Sequence, residues 1–389
     1  MISLENTEVA FKSRSNAALN KAYYLFKVMA NNNFVKLGNV GINTALKLHF
    51  PISWAVKPTI YKHFVGGETI EECQDAVRDL EKFNVKAILD FSMEGTEDQK
   101  IMEEVLKETL LTIENAAKDK NIPFAVFKPT AFATHQILEK ASSKKVLNEK
   151  ENEEFENFKR RIKTLCERAY QLSVPLMIDA EDTYYQTVID ELITEMSEKY
   201  NKKKAIIFNT LQMYRWDRVD FLKKAYKNAL EKNYYLGIKF VRGAYMEKER
   251  ERAQKMGYPS PIQENKENTD RDYNFALKFS IEHIDRISIF SGSHNEYSNI
   301  YLTELMEKHK IARNDERIYF SQLYGMSDNI SFNLADENYN VAKYVPYGFV
   351  KNVMPYLLRR AEENTSVAGQ TTRELDFIRK EKKRRKLNK

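Results

Sequence analysis

From residue 85 onward, short apolar, β-prone runs alternate with long charged stretches. The runs fall at 85–91, 123–128, 174–180, 205–210, 237–241, 287–290, 317–320 and 341–345, which makes eight strand candidates. Intervening segments such as 97–118, 184–200 and 216–233 are long enough to be crossover helices. Strands alternating with helices predict an α/β fold with a parallel sheet, and eight units predict a closed (βα)8 TIM-type barrel. An open doubly wound sheet is the alternative. The chain contains no G-x-G-x-x-G and no G-x-x-x-x-G-K-[ST], so the usual dinucleotide and nucleotide cradles are missing.

Before the rhythm begins, residues 1–84 read as a helical arm or cap, broken at Trp54–Pro58 and Phe64–Gly67. Thr69 ahead of Glu71 and Glu72 predicts a helix start. The charged stretch 140–161 reads as an exposed insertion or the start of a solvated helix. Residues 350–363 read as a helix with Pro355 inside it, suggesting a kink or a second start. The barrel is expected to span residues 85–366, followed by a basic tail at 367–389.

Composition narrows the class. A chain of 389 residues that is 42% hydrophobic can bury a large core, and no long uncharged apolar run predicts a spanning helix. Glu5, Glu8 and the lack of an apolar stretch at the start do not read as a signal peptide, so a cytoplasmic protein is expected. Cys73 and Cys166 stand far apart, which suits a reducing compartment and no thiolate metal cluster. The net charge of +6 is concentrated: residues 379–389 hold eight lysines and arginines against one glutamate, leaving about −1 for the rest. That argues against a nucleic-acid-binding body. The tail reads as a solvated, disordered end, with contact to an anionic membrane as the second reading.

The chemistry of such a barrel lies at the C-terminal ends of its strands. There the sequence places Asp90 and Glu94, Lys128, Asp179 with Glu181, Gln212, Arg242-Gly-Ala-Tyr245, Ser293-His294-Asn295, Gln322 and Tyr344. Each has an ordinary explanation: Asp179 suits a helix cap, Lys128 a surface position, His294 a structural hydrogen bond, Gly243 a tight turn, and Tyr344 with Tyr347 rim packing. Together they form a cationic set, because Lys128, Lys239, Arg242, Arg359 and Arg360 outnumber the nearby carboxylates. Such a pocket suits a small carboxylate, a phosphorylated cofactor, or both, and opposes a metal ion. In the 350–363 helix, Tyr356, Arg359, Arg360 and Glu363 recur at i, i+3, i+4 and i+7 and share one face.

In their order these residues resemble the proline dehydrogenase (proline oxidase) family. The anchors are Leu-Asp-Phe-Ser at 89–92, Phe-Lys-Pro-Thr-Ala at 127–131, Met-Ile-Asp-Ala-Glu at 177–181 and Lys-Phe-Val-Arg-Gly-Ala-Tyr at 239–245. Ser-His-Asn at 293–295, Gln-Leu-Tyr-Gly-Met at 322–326, Tyr-Val-Pro-Tyr-Gly at 344–348 and Tyr-Leu-Leu-Arg-Arg-Ala-Glu-Glu-Asn at 356–364 complete the set. The wording after Val-Arg-Gly-Ala-Tyr, with Glu-Arg-Glu-Arg-Ala and Gly-Tyr-Pro, is closer to the mitochondrial-type branch than to the long bifunctional bacterial enzymes.

The resemblance implies a distorted barrel with the last helix over its mouth and FAD bound at the strand C-termini. It implies oxidation of L-proline to Δ1-pyrroline-5-carboxylate, with electrons passing to a quinone. A separate pyrroline-5-carboxylate dehydrogenase would act downstream, and peripheral contact with the membrane's inner face follows from the quinone. Arg359 and Arg360 would clamp the proline carboxylate with help from Lys128, Tyr344 and Tyr356 would wall the ring, and Asp179 would fix Lys128 or the flavin. Arg242, Gly243 and Ala244 would meet the FAD phosphates, with Ala180, Gln212, Ser293, His294, Asn295, Gln322 and Glu363 also on the cofactor. Lys239 stands where many bacterial members carry an arginine near flavin N5, and Glu94 aligns with a gating carboxylate. 4-Hydroxyproline oxidation in the same family is one alternative, although Tyr344 crowds the face where the extra hydroxyl needs room. From other classes come a barrel aldolase using Lys128 or Lys239 as a Schiff base and a non-enzymatic scaffold that binds through its basic tail.

Overall fold

The computed structural model describes residues 2–31, 35, 38, 41, 52–93, 95–366 and 370–387, with side chains at all of these except 362–366, 370 and 371. Eight strands lie in one sheet: β1 (Val85–Phe91), β2 (Ala125–Phe127), β3 (Leu176–Ile178), β4 (Ile207–Gln212), β5 (Leu236–Val241), β6 (Ile287–Gly292), β7 (Ile318–Leu323) and β8 (Val341–Tyr347). Their order is β1-β8-β7-β6-β5-β4-β3-β2, so sequence neighbours β1 and β2 hold the two remaining edges of a nearly closed parallel barrel. Every residue of β4 and of β8 is buried, as expected for strands covered on both faces. That double burial is why the strands read as largely apolar runs, with Asn209, Thr210, Gln212 and Lys343 as buried polar exceptions.

The chain divides into two compact units, Met93–Ser321 and Ile2–Ser92 with Gln322–Lys389. In the first, most strands are followed by amphipathic helices with capped starts. Asp98 caps Gln99–Lys118, and Asn148 forms a reciprocal capping box with Glu151 at the head of Glu149–Leu172. Of the two readings of 140–161, the exposed insertion is corrected and the start of a solvated helix holds for its first turns. Two helices, His135–Ser142 and Glu149–Leu172, run through it, and the second buries Phe158, Ile162, Leu165 and Cys166. Arg161 is also buried, donating to the Phe132 carbonyl, Glu103 and Gln99. Charge on the outer face masked the apolar stripe.

In the second unit, helices from both ends of the chain share one apolar core. Leu19, Ala22, Phe26 and Met29 of Asn16–Met29 pack with Val353, Met354 and Leu357 of Val350–Ser366 and with Leu375, Phe377 and Ile378 of Gln370–Arg384. Thr69 caps Ile70–Glu81 through the Glu72 amide, as its sequence predicts. The expected break at Trp54–Pro58 is helical instead, because a proline early in a helical segment costs no hydrogen bond. The kink comes one residue later, at Thr59 (φ −111°, ψ −107°). The basic end is likewise not a disordered tail: it is helical through Arg384, with Glu381 fully buried between Arg384 and Arg385. Arg385 also donates to the carbonyls of Phe11 and Arg14.

Candidate functional site

Strand alternation sorts the side chains of the Met93–Ser321 unit into two faces. Phe124 packs edge-on against Phe208, Phe290 and Tyr319, with ring centroids 5.4, 5.1 and 4.9 Å away, and these rings mark the interior. Lys239 pairs in register with Thr210 on one side and Phe290 on the other, so it shares that interior face. Met177 pairs with Phe208, which places Asp179, two residues on, on the same side. The consequence is direct: Lys239 Nζ lies 2.7 Å from Asp179 Oδ1, with side chains only 9% and 14% exposed. The inward lysine is as alternation predicts, and Asp179 is its ion-pair partner. Next to it, the Thr210 hydroxyl is buried with no hydrogen-bond partner among the described residues.

Above this pair the loops are tied by a buried carboxylate. Glu181 accepts from the Thr130 amide and hydroxyl (3.0 and 2.6 Å), joining the turn after β2 to the end of β3. Gln212 donates to the Glu181 carbonyl at 2.6 Å. Lys128 and Ala180 are half-buried, Lys128 standing at the head of the single turn Pro129–Ala131.

Past β5, Arg242 is held on every side. Its guanidinium donates to Asp270 (2.6 Å), Ser293 Oγ (2.8 Å) and Ser298 Oγ (2.9 Å), and stacks 4.4 Å over the Tyr273 ring. Burial works against the Asp270 carboxylate, but a Lys266 hydrogen bond and the Arg242 charge outweigh it and hold the group below the usual carboxylate range. Gly243 follows at φ 129°, and a Cβ there would sit 2.6 Å from the Tyr214 ring, so no other residue fits. Ala244 is exposed. Asn295 accepts from the Ser298 amide and caps Glu296–Lys308, and Ser293 Oγ accepts from the Asn295 amide. His294 is half-buried between them. Asp270, Ser298, Tyr273 and Tyr214 had no motif to mark them; they lie in stretches that read as ordinary helix or strand end.

The second unit holds the other candidates. Tyr344 is buried on β8, opposite Ile88 of β1, and Gln322 accepts from the Ser331 hydroxyl at 2.7 Å. On Val350–Ser366, Tyr356 and Arg360 are buried and Arg359 is half-buried. The Arg360 guanidinium carbon lies 5.2 Å from the Tyr356 ring centroid, a cation–π contact one turn apart. Glu94 and the Glu363 side chain lie outside the described residues.

This unit also carries a buried charge cluster absent from the sequence reading. Asp328 is bridged by Arg14 (2.7 Å) and Lys343 (3.0 Å), and Glu374 accepts from the Ser327 amide at 2.5 Å. Burial, and then the nearby Asp328 charge, push the Glu374 carboxyl up to about 7. His63, bonded to the Gly325 carbonyl at 2.9 Å, is lowered to about 3 by burial and then by Arg14. Among the described residues, no group of three or more His, Cys, Asp or Glu side chains could hold a metal ion.

The family profile described as "Proline dehydrogenase" matches residues 73–373. The chain belongs to the proline dehydrogenase family. It is 32% identical to "Proline dehydrogenase 1, mitochondrial" of Dictyostelium discoideum, covering 98% of this chain and 74% of that protein. It is 33% identical to "Carbapenem antibiotics biosynthesis protein CarD" of Pectobacterium carotovorum subsp. carotovorum, covering 83% of each. Among solved structures, proline utilization A from Bdellovibrio bacteriovorus, inactivated by N-propargylglycine, superposes with a TM-score of 0.72 at 22% identity over 92% of this chain. The chain spans 38% of that protein's length, and the likeness shows the fold. Every proline dehydrogenase anchor motif, from residue 89 to residue 364, falls inside the matched span.

Proposed function

We propose that the chain oxidises L-proline to Δ1-pyrroline-5-carboxylate with FAD bound, and delivers the electrons to a quinone. FAD supplies the acceptor for the hydride that leaves the ring carbon next to nitrogen. The residues suit such a group. Arg242 presents a guanidinium already fixed by Asp270 and two serines, and Gly243 leaves backbone without a side chain, both apt for phosphate. Lys239, braced by Asp179, and the Thr210 hydroxyl add polar atoms on the interior face. Ala180, Gln212, Ala244, Ser293, His294, Asn295 and Gln322 are assigned to the cofactor on the family resemblance.

Arg359 and Arg360 bind the substrate carboxylate, with Lys128 as a third cation, and Tyr344 and Tyr356 wall the ring. A planar fork fixes the carboxylate's orientation as well as its position, which a reaction dependent on alignment needs. The observation that carries this reading is the 5.2 Å contact of Arg360 with Tyr356, which makes cation and aromatic wall one unit. A Schiff-base aldolase has less support, because the Lys239 ammonium is engaged by Asp179. The absorption spectrum of the purified protein, before and after L-proline, tests the proposal. A flavin spectrum bleached by proline supports it; a colourless protein contradicts it.

A further inference from the structure

The chain ends beyond β3 and β5 are tied together twice. Lys239 grips Asp179 at the level of the strands, and a second fastening lies further out, in the helix Met246–Met256 that follows Arg242-Gly-Ala-Tyr. Glu249 belongs to the first turn of that helix, yet it is fully buried between exposed Lys248 and half-buried Arg250. Its carboxylate accepts from the Thr183 amide at 2.5 Å and from the Thr183 hydroxyl at 2.7 Å. That amide heads the helix Thr183–Tyr200, whose N-cap residue Asp182 makes no side-chain cap. The Asp182 carboxylate turns instead to the Tyr185 hydroxyl (2.7 Å) and the Lys248 ammonium (2.8 Å). Glu249 therefore caps a helix to which it does not belong. Two arginines complete the fastening of its own helix. Arg250 donates to the Gln263 carbonyl at 3.0 Å, and Arg252 donates to Glu139 at 2.6 Å and lies 3.8 Å over the Tyr184 ring.

We propose that Glu249 is a positioning residue for the phosphate cradle at Arg242–Ala244, fixing the far end of that loop by its grip on Thr183. The inference rests on the reading of the loop as the site of the FAD phosphates. The near end is held independently: the Tyr214 amide donates to the Arg242 carbonyl at 2.8 Å, and the Arg242 guanidinium has Asp270, Ser293 and Ser298 as partners. At the far end the Glu249 amide donates to the Tyr245 carbonyl at 2.9 Å, so the stretch Gly243–Tyr245 is slung between two anchored points. Releasing Glu249 leaves the guanidinium in place and loosens the backbone after it, whose ordering the ligand must then supply. That cost falls on phosphate recognition. A flavin without phosphate groups makes no use of the loop and escapes it.

The test is titration of the full chain, freed of flavin, with FAD and with riboflavin, which carries the same ring and no phosphate, followed by flavin fluorescence. Glu249→Ala should weaken FAD binding about 30-fold and riboflavin binding less than about threefold. Thr183→Val removes the hydroxyl and keeps the amide, and should weaken FAD about fivefold with the same selectivity. Thr183→Ser, which restores the hydroxyl, should match the parent. General damage to the fold would weaken both flavins alike, and the Thr183 pair decides the question should Glu249→Ala fail to fold. Equal losses for FAD and riboflavin, or Thr183→Val binding FAD as the parent does, would overturn this inference and leave the flavin reading standing. A parent chain that binds neither flavin would overturn the flavin reading and this inference with it.

Discussion

Lys239 and Asp179 form an ion pair at 2.7 Å across the intervening strand β4. Removing one partner from so covered a pair strands the other's charge, which typically costs about 3–5 kcal/mol, whereas removing both costs much less. Asp179→Ala and Lys239→Met should therefore each lower the urea midpoint more than the double change does. A double-mutant cycle in urea unfolding reads the coupling, and additive effects would show that the pair is not coupled.

Gly243 is fixed by geometry as well as by proximity to Arg242. Alanine there meets the Tyr214 ring and must hold φ near 129°, so Gly243→Ala should destabilise by about 1–3 kcal/mol. Its flavin content after purification should fall with it. A thermal scan alongside the flavin-to-protein absorbance ratio checks both.

Two buried groups in the second unit give opposite pH dependences. Glu374 titrates near 7 in the fold against an ordinary 4.5, so the folded state holds the extra proton and stability falls as pH rises from about 4.5 to about 7. His63 is lowered from 6.5 to about 3, so the unfolded state holds the extra proton and stability rises over that range. Between about 4.5 and 6.5 the two cancel. Glu374→Gln removes the falling arm, and its stability should rise with pH by up to about 1.4 kcal/mol per unit there. Urea midpoints of both proteins at pH 5 and 6 measure this; parallel pH profiles would contradict it.

The eight strands were legible because burial on both faces leaves them largely apolar, and period-two alternation was enough to turn Lys239 inward. The order of strand-end motifs made the family legible too. What escaped were partners that no local pattern marks. Arg14, Asp328, Lys343 and Glu374 come from four separate stretches and meet only in the fold. The last helix escaped for a related reason: its apolar positions Leu375, Phe377 and Ile378 are few, and Glu381 adds to the buried face only because Arg384 and Arg385 neutralise it. Asp270 belongs to the same class, since its role appears only when the fold brings Arg242 to it.

The most direct test of the central claim is the steady-state kinetics of L-proline oxidation by Arg359→Leu/Arg360→Leu, with a soluble dye as acceptor and with flavin content and thermal midpoint as controls. Truncating one side of a hydrogen-bonded charge pair costs about 2–5 kcal/mol, so kcat/KM should fall at least about 30-fold, chiefly through KM, in a protein that keeps its flavin. Unchanged kcat and KM in the folded, flavin-bearing variant would contradict the account.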